Sequence, residues 1–458
     1  MKSEGTLADL LDPGRVAGRI QDLVEGDSAA RLRDLLVRCA QRLHDGGVPD
    51  NQPVHAFFVP GRIELLGKHT DYAGGRSLLA AIERGICLVS TPRQDEEIAV
   101  ADVRSGERIC FRASPHLQPE ARWPNYPQTV VRRVARNFPG QVQGASIAFA
   151  SDLPRAAGMS SSSALVIAVF LALSAVNDLA STESYRDNIR TTEELADYLA
   201  AVESGRDYRA FAGDLGVGTQ GGSQDHTAIL CARPGELVQY AFAPVRFERS
   251  VPLPAGYTFA VGVSGVRAEK TGAARRWYNQ AAEQMRVINE LWRAETGRED
   301  PSIGAALDAD PAAADRLRGI LRHAGHPNQS SESLLARLDQ FIGESFEIIP
   351  ASVDALARGD LGTFGTLVDR SQELAITALQ NQMEETIHLA RSARALGAAA
   401  ASAFGAGFGG SVWALVEEVR ADAFLASWRS DYLTRFSERA AAATFFSTRA
   451  AAPAVRLA

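Results

Sequence analysis

The sequence predicts an α+β protein of two or three domains. Three observations lead there. Its 458 residues exceed what one core of roughly 150 residues organises. Hydrophobic residues make up 46% and charged residues 22%, an ordinary globular balance. Helical and strand-like segments are mixed, without the regular βαβα alternation of a doubly wound sheet.

Residues 1–26 are polar with scattered Gly and Asp, and predict a loosely held extension. Residues 28–46 predict an amphipathic helix: Leu32, Leu35, Leu36, Cys39 and Leu43 share one face, and Gly46 lies beyond its end. The run VHAFFVPGRIELLG predicts two short strands broken at Pro60-Gly61. Further strands are expected at ICLVS, at IAVADV and over residues 145–150. A Pro/Gly/Ser segment and an apolar helix over 162–178 follow the last of these. Helical patterns return at 192–205, 272–296, 332–358 and 363–395, and strand-like runs at YTFAVGVSG and SVWALV. No repeat of fixed period is present. Two Ala-rich stretches, 394–407 and 440–452, run into β-like or aromatic residues and predict packed structure rather than disorder.

Charge and cysteine usage exclude several classes. A net charge of −7, from 48 basic and 55 acidic residues, does not imply a polybasic nucleic-acid surface. The apolar run Ala164–Val176 is too short and interrupted for a membrane span, and the opening MKSEGTLADLLDPGR lacks a signal-peptide core. Cys39, Cys87, Cys110 and Cys231 lie far apart with no CxxC spacing. That argues against structural zinc or a disulfide framework and fits a reducing cytoplasm. The expected partner is a small molecule, and the sequence does not encode an oligomeric state. Of the 48 basic residues only Lys2, Lys68 and Lys270 are lysine, so a lysine here is a rare choice.

The sharpest chemistry lies in DLPRAAGMSSSSALVIAV (Asp152–Val169). It runs from a strand through Pro154 and Gly158 into four serines and an apolar helix. Small residues let backbone N–H groups approach an anion, and a helix N-terminus adds unpaired donors and a positive dipole end. Serine hydroxyls can cap those donors, bind phosphate oxygens or ligate Mg²⁺. Alone, the segment is equally a Ser-rich cap with no ligand, because it lacks the Gly-Lys-Ser/Thr ending of a P-loop. GAGFGG (Gly405–Gly410) is a second Gly-rich turn, weak by itself.

Together these segments resemble the GHMP small-molecule kinases. PGRIELLGKHTDYAGG (Pro60–Gly75), the serine loop and GAGFGG occur in that family's order. The first is similar to the galactokinase signature in particular, as are WPNY (Trp123–Tyr126) and GGSQDH (Gly221–His226). ALARGDLGTFG (Ala355–Gly365) is similar to a late helical segment of that family. The resemblance spans roughly residues 50–450. It implies a two-domain fold, with a ribosomal-protein-S5-like N-terminal domain and a ferredoxin-like C-terminal domain. Set on this chain, the domains are expected over 27–235 and 236–458, after an extension over 1–26.

The resemblance also implies roles. Gly158, Ser160, Ser161, Ser162 and Ser163 would wrap the ATP phosphates, with Ser162 and Glu203 as Mg²⁺ contacts and Trp123 beside the adenine. Asp225 would be the catalytic aspartate and Arg62 its partner; the bland alternative is a structural ion pair. His69, Asp71, Gly222 and Gly272 would belong to the sugar site, together with the position of Lys68. Phosphoryl transfer suits such a set, because it needs an aligned hydroxyl and groups that absorb spreading negative charge.

Two departures fall on the sugar pocket. Galactokinases carry glutamate where this chain has Lys68, which replaces an acceptor by a cationic donor. Gly272-Ala273 precede Arg275-Arg276 where the family has a Tyr-Asn pair, and Lys270 is close by. A third and milder departure is Ala401–Phe404, where the family often has an Arg-Met-Thr-like lead. Two readings follow from the lysines. Lys68 faces the carboxylate of a uronic acid, or it is structural and the substrate is a neutral sugar. The expected reaction is ATP-dependent phosphorylation of the anomeric hydroxyl of a hexose or hexuronic acid. The alternatives are a kinase for another neutral sugar or heptose and a non-catalytic sensor of sugar and ATP. The intact serine loop, Glu203, Arg62 and Asp225 weigh against the sensor.

Overall fold

The structure is a computed structural model that describes residues 5–120, 122–266, 273–323 and 325–458. Its strands are β1 (Gly5–Thr6), β2 (Pro53–Leu66), β3 (Arg76–Pro92), β4 (Glu97–Asp102), β5 (Arg108–Arg112), β6 (Ala145–Ser151), β7 (Glu236–Ala241), β8 (Arg246–Pro252), β9 (Tyr257–Val263), β10 (Ala400–Phe404), β11 (Ser411–Glu417), β12 (Thr444–Thr448) and β13 (Val455–Arg456). The α-helices of the first part are α1 (Leu7–Leu11), α2 (Pro13–Ile20), α3 (Gly26–Asp45), α4 (Asn125–Asn137), α5 (Ser161–Val176), α6 (Glu183–Asn188), α7 (Thr192–Ser204) and α8 (Gln224–Leu230). Those that follow are α9 (Ala273–Thr296), α10 (Ile303–Ala309), α11 (Ala313–His323), α12 (Ser331–Ile342), α13 (Ile349–Ala357), α14 (Leu361–Leu374), α15 (Glu384–Ala395) and α16 (Ala421–Arg435).

Two sheets organise the described residues. The larger runs β1-β2-β3-β6-β4-β5, with β13 on β2 and β7 joining β3 to β8. All its pairs are antiparallel except β4 with β6. The smaller sheet runs β10-β11-β9-β12 and is antiparallel throughout. One face of the large sheet packs on α5, whose Ala164–Leu173 stretch is buried almost all round; a helix without a polar face belongs inside a core. The outer face carries α1–α3, through Leu10, Val16, Ile20, Leu32, Leu36 and Cys39. Helices α15 and α16 cover the small sheet with Leu389, Trp428 and Tyr432, while α9–α12 form a helical cluster around Trp292, Leu317 and Leu338. No helix among the described residues is long and apolar enough to cross a membrane.

Several expectations need correcting. Residues 5–24 are not loosely held: β1 pairs with β2, and Leu7, Leu10, Val16 and Ile20 are buried. Their apolar spacing of three to six residues is enough to anchor short helices that look polar by composition. The expected break at Pro60-Gly61 is a continuous strand, β2, with register shifts between Pro60 and Arg62 and again between Glu64 and Leu66. Bulges of this kind bend a strand and re-aim its side chains. The pattern over 363–395 divides into α14 and α15, separated after Gln380 adopts a left-handed φ of 52°. Strands β7 and β8, which follow the expected boundary at residue 235, join the first sheet. The two Ala-rich stretches hold β10 and β12.

Candidate active site

Arg62, on the bulged part of β2, lies 3% exposed in the interior between two cavities. Its Nη2 stands 2.7 Å and its Nε 2.9 Å from Oδ1 of Asp225, in the first turn of α8. The third arm, Nη1, donates to the carbonyl oxygen of Gly158. One guanidinium thus ties the aspartate to the turn ahead of α5, a geometry that only a planar, multi-donor cation supplies.

The serine turn is shaped by positive backbone angles: φ is 74° at Gly158 and 57° at Ser160. GAGFGG packs directly against it. A Cβ on Gly405 would come within 2.8 Å of the Gly158 carbonyl oxygen, so a side chain there would displace the turn. Ser411, just beyond the glycines, donates from Oγ to Ala157 O at 2.7 Å. Beside this turn lies the larger cavity, lined by Gly158, Ser160, Ser161 and Ser162 and by Trp123, Tyr126, Phe149 and Leu165. The Trp123 ring meets Phe149 edge-on at 5.6 Å, and its Nε1 donates to Glu107 at 2.7 Å. Aromatic rings together with serine hydroxyls in one lining suit a base and its phosphates. Ser160 Oγ is buried without a hydrogen-bond partner, an orphan donor on the wall of that cavity. Arg104, Arg122 and Arg155 also line it; nothing in the sequence motifs marked them.

The second cavity is smaller and polar. His69, Asp71, Gly222, Ser163 and Glu203 line it, and Arg62, Asp225 and Ala406 are common to both cavities. His69 has a left-handed φ of 58°, a strained conformation for a residue with a Cβ. Its surroundings hold it there: Arg337 donates to its carbonyl oxygen, while its ring lies 3.1 Å from both the Tyr72 hydroxyl and Ala406 O. Asp71 accepts from the backbone N–H groups of Tyr72 at 2.9 Å and Gln224 at 3.0 Å. Burial raises the pKa of its carboxyl, against the pull of the Gln224 N–H. Gly222 lies so close that a Cβ would stand 2.3 Å from Asp71 Oδ2.

Lys68 corrects an expectation. Its ammonium does not line either cavity. It turns to the smaller sheet and donates to Ser402 Oγ at 2.9 Å and Ser371 Oγ at 3.3 Å. Ser371 passes on a bond of 2.9 Å to the fully buried Glu344, which also accepts from Gly67 N–H at 2.7 Å. The lysine therefore sits in an internal polar network that pins the Gly67–Asp71 loop. Removing one member of a buried charged network leaves the others uncompensated, so Lys68→Met is expected to cost about 3 kcal/mol of stability. Urea unfolding checks this, and an unchanged midpoint would refute the bracing role. Gly272 and Lys270 lie outside the described residues.

Sequence reasoning missed Glu64 and Gln224. Both line the smaller cavity. Glu64 follows Arg62 by two positions on β2, and a strand places such residues on one face, so the signal was present in the motif. Burial pushes the Glu64 carboxyl up to about 7, with Arg62 and Lys68 pulling the other way. A carboxyl raised above its ordinary 4.5 favours folding fully only below that value, and this contribution is lost as pH rises through about 7.

Ser162 lies in the first turn of α5 on the larger cavity. Glu203 shares the smaller one with Ser163, its Oε2 3.1 Å from His226 Nε2. A hydroxyl and a carboxylate are of the kind that Mg²⁺ takes, since it prefers oxygen ligands and keeps phosphate oxygens and waters rather than an all-protein cage. Among the described residues no three His, Cys, Asp or Glu cluster into such a cage.

Comparison with known proteins shows the family and the fold. The galactokinase galactose-binding signature matches residues 47–92, the GHMP kinases N terminal domain residues 125–231 and the GHMP kinases C terminal family residues 352–433. A galactokinase of Roseiflexus sp. (strain RS-1) is 29% identical over 371 residues, which cover 80% of this chain and 84% of that protein. One from Chloroflexus aurantiacus is 28% identical over 390 residues, 84% and 89% of the two chains. The crystal structure of Lactococcus lactis galactokinase complexed with galactose shares the fold, with a TM-score of 0.71 at 22% identity over 88% of this chain and 95% of that one.

Proposed function

The chain belongs to the GHMP kinases as a galactokinase-like, ATP-dependent sugar phosphotransferase, and from that premise we propose that it phosphorylates the anomeric hydroxyl of a neutral hexose. One observation carries the reading: a larger cavity lined by aromatic rings and serine hydroxyls and a smaller polar cavity meet at the Arg62–Asp225 pair. The triphosphate lies along Gly158–Ser163 with the base beside Trp123. The sugar rests against His69, Asp71 and Gly222, with the reacting hydroxyl at Asp225.

Asp225 then accepts a hydrogen bond from that hydroxyl, orients it and takes its proton as the new P–O bond forms. Arg62 fixes the orientation of the aspartate through two N–H contacts to Oδ1 and spreads positive charge toward the transferred group. Because its third arm is on Gly158, the same guanidinium fixes the distance between nucleophile and phosphate turn. Ser162 and Glu203 would hold Mg²⁺, which when bound neutralises charge on the phosphate oxygens.

A neutral acceptor is favoured over a uronate because the Lys68 ammonium is engaged by Ser371 and Ser402, while Glu64, Asp71 and Asp225 bring carboxyl groups to the pocket. A radiometric ATP assay over galactose, glucose, mannose and their uronates tests it. Galactose is the first candidate, since the named relatives are galactokinases. The expected result is a hexose 1-phosphate and no uronate product. Strong turnover of a uronate, or none of any hexose, would overturn the reading.

A further inference from the structure

Two polar atoms of the smaller cavity lack a well-formed hydrogen bond. Glu64 Oε1 and Gln224 Nε2 are both buried with no partner in ordinary hydrogen-bond geometry; a long contact from the Gln224 amide to the Glu64 carboxyl is what links them. The side chains are 3% and 4% exposed, and both line the cavity. Neighbours fix how Gln224 sits: its Oε1 accepts from Ser77 Oγ at 3.2 Å, and its backbone N–H donates to Asp71 at 3.0 Å. The amide nitrogen is left with only the long contact to Glu64. A buried acceptor and a buried donor that meet only at long range are poorly satisfied. Side by side on a cavity wall, they are complementary to one hydroxyl, which donates once and accepts.

We propose that Glu64 and Gln224 form the subsite that recognises one ring hydroxyl of the acceptor sugar, distinct from the hydroxyl that is phosphorylated. That hydroxyl donates to Glu64 Oε1 and accepts from Gln224 Nε2. Arg62 and Glu64 lie two residues apart on β2, about 7 Å along a strand, so one hexose reaches both the reacting centre and this subsite. A substrate carboxylate at the same place meets a like group in Glu64 and is turned away. The inference rests on the reading that this cavity holds a sugar.

The test compares wild type, Glu64→Gln and Glu64→Ala on galactose, or on glucose or mannose if wild type prefers one of them, and on the monodeoxy analogues of that hexose. A site built to hydrogen-bond a hydroxyl discriminates steeply against its absence, so Glu64→Ala is expected to lower kcat/KM for the parent sugar by about 30-fold or more. The loss enters through KM for the sugar, while KM for ATP stays within about twofold. One deoxy analogue is already poor on wild type and loses less than about threefold further on the variant. Thermal melting supplies a second readout: Glu64→Gln removes a buried carboxyl whose ionisation burial opposes, so its Tm is unchanged or higher at pH 8. Equal losses on the parent and every deoxy analogue would overturn the proposal. So would an unchanged sugar KM, or a Tm fall of several degrees in Glu64→Gln. If wild type phosphorylates no hexose at all, the sugar-kinase reading itself falls and the subsite with it. Brisk wild-type transfer that ignores Glu64 removes the subsite alone.

Discussion

Asp225→Asn is expected to lower kcat by about 10²–10⁴-fold, the contribution of a positioned general base, while ATP binds as tightly as before or tighter. The substitution keeps the size of the side chain and one acceptor oxygen but removes the basic carboxylate. Asp225 lies where the two cavities join, so its loss affects the hydroxyl rather than the nucleotide. A carboxylate beside the terminal phosphate also repels it in the ground state, so ATP affinity does not suffer. Single-turnover transfer and a fluorescent-nucleotide titration measure the two effects separately. Transfer within threefold of wild type would show that Asp225 is only a structural anchor for Arg62. Loss of both transfer and ATP binding would place it in the nucleotide site.

Arg62→Met has the second large effect, and it acts on two levels. The guanidinium binds Asp225 and the Gly158 carbonyl from a buried position. Cutting a buried ion pair at one partner costs about 3–5 kcal/mol, so the variant is expected to unfold at clearly lower urea. Its kcat is expected to fall by about 10³-fold or more, the scale on which a transition-state arginine works in phosphoryl transfer. Arg62→Lys separates the levels. It restores a charge near Asp225 and much of the stability, yet cannot reach both Asp225 and Gly158 with a planar fork. Its catalytic rate is expected to stay at least 10²-fold below wild type. Recovery of full rate in Arg62→Lys would mean that charge alone suffices and that the tie to Gly158 has no catalytic part.

Much of this site was legible because its chemistry is local in sequence. Gly158 to Ser163 fall in one turn, and His69 and Asp71 in one short motif, so a single segment carries each half of the pocket. Pairing Arg62 with Asp225 across 163 positions came from resemblance, since no local pattern encodes it. Lys68 was misplaced for the same reason: its partners Ser371 and Ser402 lie about 300 residues on, and only tertiary folding decides that it turns away from the cavity. Glu64 falls in the same expected strand as Arg62, yet the family resemblance gives it no role. Regular register from Arg62 to Glu64 brings both to one face by period two. The packing of Val16 and Ile20 against α3 escaped notice because two buried side chains in a polar octet hardly move its composition.

The account depends on one junction, where a phosphate turn and a sugar pocket share a guanidinium and a carboxylate. A crystal structure of the enzyme with a non-hydrolysable ATP analogue and its preferred hexose tests it most directly. The account predicts the anomeric oxygen within hydrogen-bond reach of Asp225 and about 3–3.5 Å from the γ-phosphorus, the separation of a near-attack geometry, with the γ-phosphate beside Arg62. A sugar bound away from Asp225, or a triphosphate that leaves Gly158–Ser163 uncontacted, would contradict it.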